Sequence, residues 1–185
     1  MMRIIGGKLK GRRLKSPPDL KTRPTSDRLR ETLFNVLQTT LSANTRFLDL
    51  CAGTGAVGIE AFSRGAEFVT FVDSVWKCCS LIEENLDAMG IPEPATEVIR
   101  SDALKFVKQD PIEAWGIVYF DPPYSTAYSE VLSIIGEEAG RIVVPDGVVI
   151  AEHASLNGLP DEAGKLRRWR KLKQGDSSLS FYRFS

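Results

Sequence analysis

The alternation of apolar and polar positions lays out a regular succession of elements along the chain. Thr45-Arg-Phe-Leu-Asp-Leu50 predicts the first strong strand, followed by a glycine turn and a helix over about 56–64. A second strand over Glu67–Val72 ends at Asp73, and a helix over about 75–89 is closed by Gly90 and Pro92. A third strand near 96–100 runs into Ser101-Asp102 and a short helix near 103–108. Ile117-Val-Tyr-Phe120 predicts a fourth strand, followed by a helix near 127–139 and a fifth strand over 147–152. Strands alternating with helices at this spacing predict an α/β fold: a Rossmann-like, mostly parallel, doubly wound sheet.

The two ends break that rhythm. Residues 165–172 and 178–184 are extended and alternating and are joined by Gln174-Gly-Asp176, which predicts a C-terminal antiparallel hairpin. At the other end, the basic, glycine-punctuated run Arg3–Leu14 can close a short hairpin. Pro17-Pro18 separates it from a helix over about 26–40, which Thr25, Ser26 or Asp27 can cap. Leu29, Leu33, Phe34 and Leu37 share one face of that helix. The expectation is a basic extension over 1–42, packed on a domain over 43–185.

In 185 residues of which 43% are hydrophobic there is enough apolar surface for one full core. The longest apolar run, 142–151, is broken by Pro145, Asp146 and Gly147, so no segment is predicted to span a bilayer. The N-terminus turns basic too early for a secretory signal. Cys51, Cys78 and Cys79 suit neither a disulfide framework nor a zinc site and read as reduced thiols of a cytoplasmic protein. His153 is the only histidine and reads as structural. A monomer with no metal and no membrane contact is expected.

The net charge of zero hides a strong asymmetry. Residues 1–30 carry ten Lys/Arg against two acids, 31–160 carry seven against nineteen, and 161–185 carry seven against three. Basic ends on an acidic middle favour nucleic acid over a merely solubilising role. Lys8, Lys10, Arg12, Arg13, Arg23 and Arg28 are the predicted RNA contacts, with the 165–173 run as a second docking segment.

Two motifs carry chemistry. Gly53-Thr-Gly55-Ala-Val-Gly58 follows a strand and opens a helix, and Asp73 lies twenty residues beyond Gly53. That pattern also fits a dinucleotide enzyme of the NAD type. Against it stand Asp49, which sits poorly beside a pyrophosphate but suits the amino group of a methionine tail, the longer turn through Cys51 and Ala52, and the lack of room for a separate substrate domain. The reading favoured is S-adenosylmethionine, held by Asp49, Gly53, Gly55, Asp73 at the ribose and Asp102 at the adenine amine. Asp121-Pro122-Pro123-Tyr124 ends the fourth strand. A carboxylate and a proline carbonyl can accept both N–H bonds of an exocyclic base amine and aim its lone pair at a sulfonium methyl. Tyr124 can stack on a base turned out of its helix or loop.

Nearly end to end, the sequence resembles the bacterial 16S rRNA guanine-N2 methyltransferases that modify guanosine 966 of the small subunit. The residues that carry this are Arg3-Ile-Ile-Gly-Gly-Lys-Leu-Lys-Gly-Arg-Arg-Leu14, Thr22-Arg-Pro-Thr-Ser-Asp-Arg28 with Arg30-Glu-Thr-Leu-Phe-Asn35, Leu48–Ala56, Ser63–Ala66 and Asp121–Tyr124. Cys51 departs from the bulkier or aromatic residue expected there. The resemblance implies a class I fold using S-adenosylmethionine and, as partner, 16S rRNA within the small ribosomal subunit or its precursor. Rival readings are methylation of another amine (DNA adenine-N6 or a glutamine side chain) and an RNA-binding assembly factor without catalysis.

Overall fold

The computed structural model describes residues 2–16, 26–111, 113–123 and 128–185. Its frame is one eight-stranded sheet in the order β3-β2-β1-β4-β5-β8-β7-β6. The strands are β1 Arg46–Leu50, β2 Phe68–Asp73, β3 Thr96–Arg100, β4 Trp115–Phe120, β5 Val143–Ala154, β6 Glu162–Ala163, β7 Leu166–Gln174 and β8 Ser177–Phe184. β1 to β5 pair in parallel, and β8, β7 and β6 add on antiparallel.

The helices are α1 Asp27–Leu37, α2 Ala56–Ser63, α3 Trp76–Met89, α4 Ala103–Val107 and α5 Tyr128–Ile135. Successive strand residues face opposite ways, so the strands feed two separate cores. Phe47, Phe71, Ile117, Tyr119, Ile150 and Phe181 pack with α1, α2, α3 and the N-terminal segment. Leu48, Leu50, Val118, Phe120, Ala151 and Tyr182 pack with α4 and α5. The fold is a Rossmann-like, doubly wound α/β sheet extended by an antiparallel hairpin.

Differences from the sequence reading have local causes. α1 is capped by Ser26, whose hydroxyl accepts from the Leu29 amide, and it stops at Leu37. α5 ends at Ile135, four residues short of the expectation, where the Gly136 carbonyl accepts the Lys165 amide and the chain turns to meet β7. β5 starts at Val143, not 147, because its pairing with β4 shifts between Trp115 and Ile117 and lets Pro145 and Asp146 bulge outward. Pro145 needs no ladder partner in such a bulge. The two-residue strand β6 is too short for periodicity to show.

The N-terminal run does close a hairpin. Arg3 bridges Arg13, the Ile4 amide donates to the Arg12 carbonyl, and Leu14 donates to Met2. It lies on α2 and α3, and Glu60 pins it. That carboxylate, fully buried in α2, accepts the Ile5 and Gly6 amides at 2.8 and 2.7 Å and Arg64 Nε at 2.7 Å. Ser63 donates to the Gly6 carbonyl and accepts the Leu9 amide. At Gly7, with φ +74°, an added Cβ would lie 1.8 Å from the Ser63 carbonyl oxygen. Only glycine allows so close an approach.

Candidate active site

β1 sits between β2 and β4, and the strand order reverses there. In open α/β sheets, ligands bind at the carboxyl ends of strands beside that reversal. The loop after β1 is tightly specified. Cys51 and Ala52 both donate their amides to the Val72 carbonyl, at 2.8 and 2.9 Å. Cys51 takes φ +72°, the only non-glycine positive φ among the described residues, and Gly53 and Gly55 follow at +56° and +74°. A Cβ on Gly53 would meet nothing within 4 Å, so this turn faces open space.

The acids predicted for the cofactor have more specific places than their spacing suggested. Asp73 Oδ2 accepts the Gly53 amide and Oδ1 accepts the Val75 amide, each at 2.8 Å, so this carboxylate fixes the glycine turn at the edge where a ligand would lie. Asp49 is only 2% exposed and accepts the Gly58 amide at 2.8 Å from beneath α2. Burial, with the field of Asp73 added, pushes the Asp49 carboxyl up to about 8 despite that bond. Asp102 caps α4 by accepting the Lys105 amide.

Asp121 follows β4 directly, and its amide donates to the Leu50 carbonyl at 3.3 Å, which ties it to the end of β1. Burial, and then the negative fields of Glu152 and Asp49, raise its carboxyl well above the ordinary range. Pro122 is buried, and its carbonyl accepts the Tyr128 hydroxyl at 3.2 Å. Tyr124 lies outside the described residues.

One acid of this edge escaped the sequence reading. Glu152, 7% exposed on β5, accepts a hydrogen bond from the Tyr119 hydroxyl. Because Phe120 pairs with Ala151, Asp121 and Glu152 follow each other at the same level on adjacent strands. Arg30 of α1, which the sequence sets among the N-terminal basic residues, is fully buried; one terminal nitrogen donates to the Arg3 carbonyl and to Asp27, and loss of hydration lowers its pKa against the opposing fields of Asp27, Glu60 and Tyr119. The available signal was an acid inside an apolar run, as in Val149-Ile-Ala-Glu152 and, in α2, Ala56-Val-Gly-Ile-Glu60.

The predicted RNA contacts divide. Arg12, exposed, caps a helix: its terminal nitrogens donate to the Met89 and Ala88 carbonyls at 2.8 and 2.7 Å, closing the negative end of α3. Lys8 lies over the Phe62 ring at 3.6 Å. Lys10, Arg13 and Arg28 are exposed, and Arg23 lies outside the described residues. His153 is buried between the Ser180 hydroxyl and the Ala154 carbonyl, and burial lowers its pKa. The three cysteines are free thiols.

Among the described residues no group of three His, Cys, Asp or Glu is placed to hold a metal ion, and no helix is long and apolar enough to cross a membrane. A cleft of about 800 Å³ opens at the opposite sheet edge around Thr40, Arg46, Glu113 and Asp146. It gathers the amino ends of strands and inter-element turns, whereas the glycine turn and Asp121 meet at the carboxyl ends. Topology, not cavity size, locates the site.

Residues 2–183 match the family model described as Conserved hypothetical protein 95. YlbH of Bacillus subtilis is 34% identical over 184 residues, 98% of each chain. Ribosomal RNA small subunit methyltransferase D of Escherichia coli is 32% identical over 181 residues, covering 98% of this chain and 89% of that one. Among solved structures, yhhF of Escherichia coli superimposes with a TM-score of 0.87 at 28% identity, covering 100% of this chain and 98% of the other.

Proposed function

Because the chain belongs to the family described as Conserved hypothetical protein 95, we propose that it transfers a methyl group from S-adenosylmethionine to the exocyclic N2 amine of guanosine 966 in 16S rRNA. The observation that carries this reading is the placement of Asp121-Pro122 beside the glycine turn, where β1 and β4 part. It is supported by relatives over nearly the full chain that bear the name ribosomal RNA small subunit methyltransferase D.

The residues present fit the cofactor. Gly53 faces open space in a left-handed turn, and the Asp73 carboxylate retains lone pairs for ribose hydroxyls beyond the two amides it accepts. Gly53, Gly55 and Asp73 would hold the nucleoside, with Asp102 at the adenine end, and Asp49 would act from beneath the loop. Bound there, S-adenosylmethionine supplies an electrophilic methyl on a sulfonium.

The chain's own groups then act on the amine. Asp121 and the Pro122 carbonyl each accept one N–H, which orients the nitrogen lone pair and stabilises the positive charge that develops on it. Tyr128, by donating to the same carbonyl, holds it in place while leaving a second lone pair. Asp121 and Glu152 lie at the same level of adjacent strands, and loss of hydration together with the negative field of Glu152 favours the protonated form of Asp121 at rest. A positive charge brought to this edge draws the pair toward the ionised form. When the amine becomes N-methylated and releases its proton, these carboxyls can take it once ionised.

Incubation with methyl-labelled cofactor and, separately, small ribosomal subunits, naked 16S rRNA and duplex DNA tests the reading. Label in the RNA of unmethylated small subunits is expected; label only in DNA or in a protein glutamine would replace it, and no transfer to any acceptor would favour an assembly factor.

A further inference from the structure

β7 and β8 extend the sheet past the edge of α1. On the α1 side, Leu179 and Phe181 are buried in the same core as that helix, and Thr32 of α1 donates to the Gln174 side chain at the end of β7. Beyond this cover the face changes character. The β7–β8 pairing shifts register between Arg168 and Arg170, so Arg168 lies opposite Tyr182 and Arg170 opposite Phe181. Trp169 is the extra residue of a bulge.

Bulges re-aim side chains, and here the effect can be followed. In a regular strand Trp169 and Arg170 would point to opposite faces. The shift instead registers Arg170 with Phe181, while the Trp169 ring lies 5.7 Å from the Phe181 ring, on the same side of the sheet. Arg183, two residues from Phe181, packs its guanidinium 4.8 Å from the Trp169 ring centroid. The result is an indole 44% exposed among exposed arginines on an otherwise solvated sheet face. An aromatic that served only the core would be covered, as Phe181 is.

The charge around it is unbalanced. Of the nearby acids, Glu162 pairs with Arg167 and Asp161 with Arg168. Arg170, Arg183, Lys165, Lys171 and Lys173 form no ion pair among the described residues. A half-exposed indole with the guanidinium of Arg183 on its ring and Arg170 beside it, neither in an ion pair among the described residues, fits an unstacked base with its flanking phosphates. An acidic protein surface would use the arginines but would not need the exposed indole.

We propose that Trp169, with Arg170 and Arg183, forms a stacking platform that holds an unpaired nucleotide of the substrate RNA outside the active site. The platform deepens the reading of an RNA substrate and rests on it. It also places the second basic segment's contribution in a defined set of side chains.

The test measures the affinity of the full chain for a labelled RNA hairpin with a single-stranded purine loop and for a blunt RNA duplex, across a salt series. Trp169→Ala is expected to weaken hairpin binding about tenfold or more, the scale of one lost base–aromatic stack, and to leave duplex binding and cofactor affinity unchanged. Trp169→Phe should recover most of the loss. Arg170→Gln with Arg183→Gln should flatten the slope of log K against log salt by roughly 1.5. Hairpin affinity within twofold of wild type in folded Trp169→Ala overturns the proposal. So does equal loss for Trp169→Phe and Trp169→Ala, which marks packing, or a loss seen only with whole subunits, which marks a protein contact. If the wild type binds and methylates no RNA, the proposed function itself fails, a result distinct from any of these.

Discussion

Replacing Glu60 tests how the N-terminal hairpin is held and what it supports. Glu60→Gln keeps the shape of the side chain but turns one carboxylate oxygen into a donor. In the wild type both oxygens are acceptors, for the Ile5 amide, the Gly6 amide and Arg64 Nε. The amide side chain therefore faces one backbone N–H with an N–H of its own, and Arg64 loses its ion pair. A hydrogen bond to a charged group is worth about 1.5–3 kcal/mol. Ile5 and Gly6 are only half-buried, so water recovers part of the loss. A net cost of about 2–3 kcal/mol follows, which for a chain of this size lowers Tm by roughly 4–12 °C. Denaturant titration gives the stability, and amide hydrogen exchange resolves it in space: Ile5, Gly6 and Leu9 should lose protection while the β1 and β4 amides keep theirs relative to the new global stability. Because Gly55 of the glycine turn is the N-cap of α2, cofactor affinity should fall with hairpin protection. A variant within about 0.5 kcal/mol of wild type, with Ile5 and Gly6 still protected, would refute the reasoning and return the hairpin to a free RNA-docking arm.

Other outcomes follow from the site. Asp121→Ala should lower the methyl-transfer rate by about two to three decades with cofactor affinity nearly unchanged; retention of more than about a tenth of the rate contradicts its role as amine acceptor. Glu152→Gln removes a negative field that raises the Asp121 carboxyl, so the acidic limb of the pH–rate profile should move to lower pH; an unmoved limb means that Glu152 does not act on Asp121. Asp49, raised in the fold to about 8, binds more protons folded than unfolded over the range between its ordinary carboxylate pKa and that value. Its contribution to stability is therefore complete at acid pH and is lost as pH rises through about 8. Relative to Asp49→Asn, the wild type should lose stability between pH 5 and pH 8 in urea titrations, and parallel curves would refute this.

The central strands were legible because each is an apolar run closed by a glycine or an acid, and a parallel strand buried on both faces has that form. The glycine turn and Asp121-Pro122 were legible because their residue types suit little else at the end of a strand. What the sequence hid was direction and partner. Arg12 counts as one more basic residue until its guanidinium is seen closing α3. Glu60 and Glu152 look like isolated acids in apolar runs until the hairpin amides and the Tyr119 hydroxyl arrive from far along the chain. The bulge that swings Trp169 beside Arg170 leaves no mark in the alternation, since both residues were already expected on an exposed strand.

Digestion of small-subunit RNA after reaction with labelled cofactor, with identification of the modified nucleoside and its position by mass spectrometry, tests the central claim most directly. The account predicts one methyl per 16S rRNA, on N2 of guanosine 966, and its absence with Asp121→Ala. Label found as a methyladenosine, on a ring nitrogen of guanine, or spread over many guanosines would contradict it.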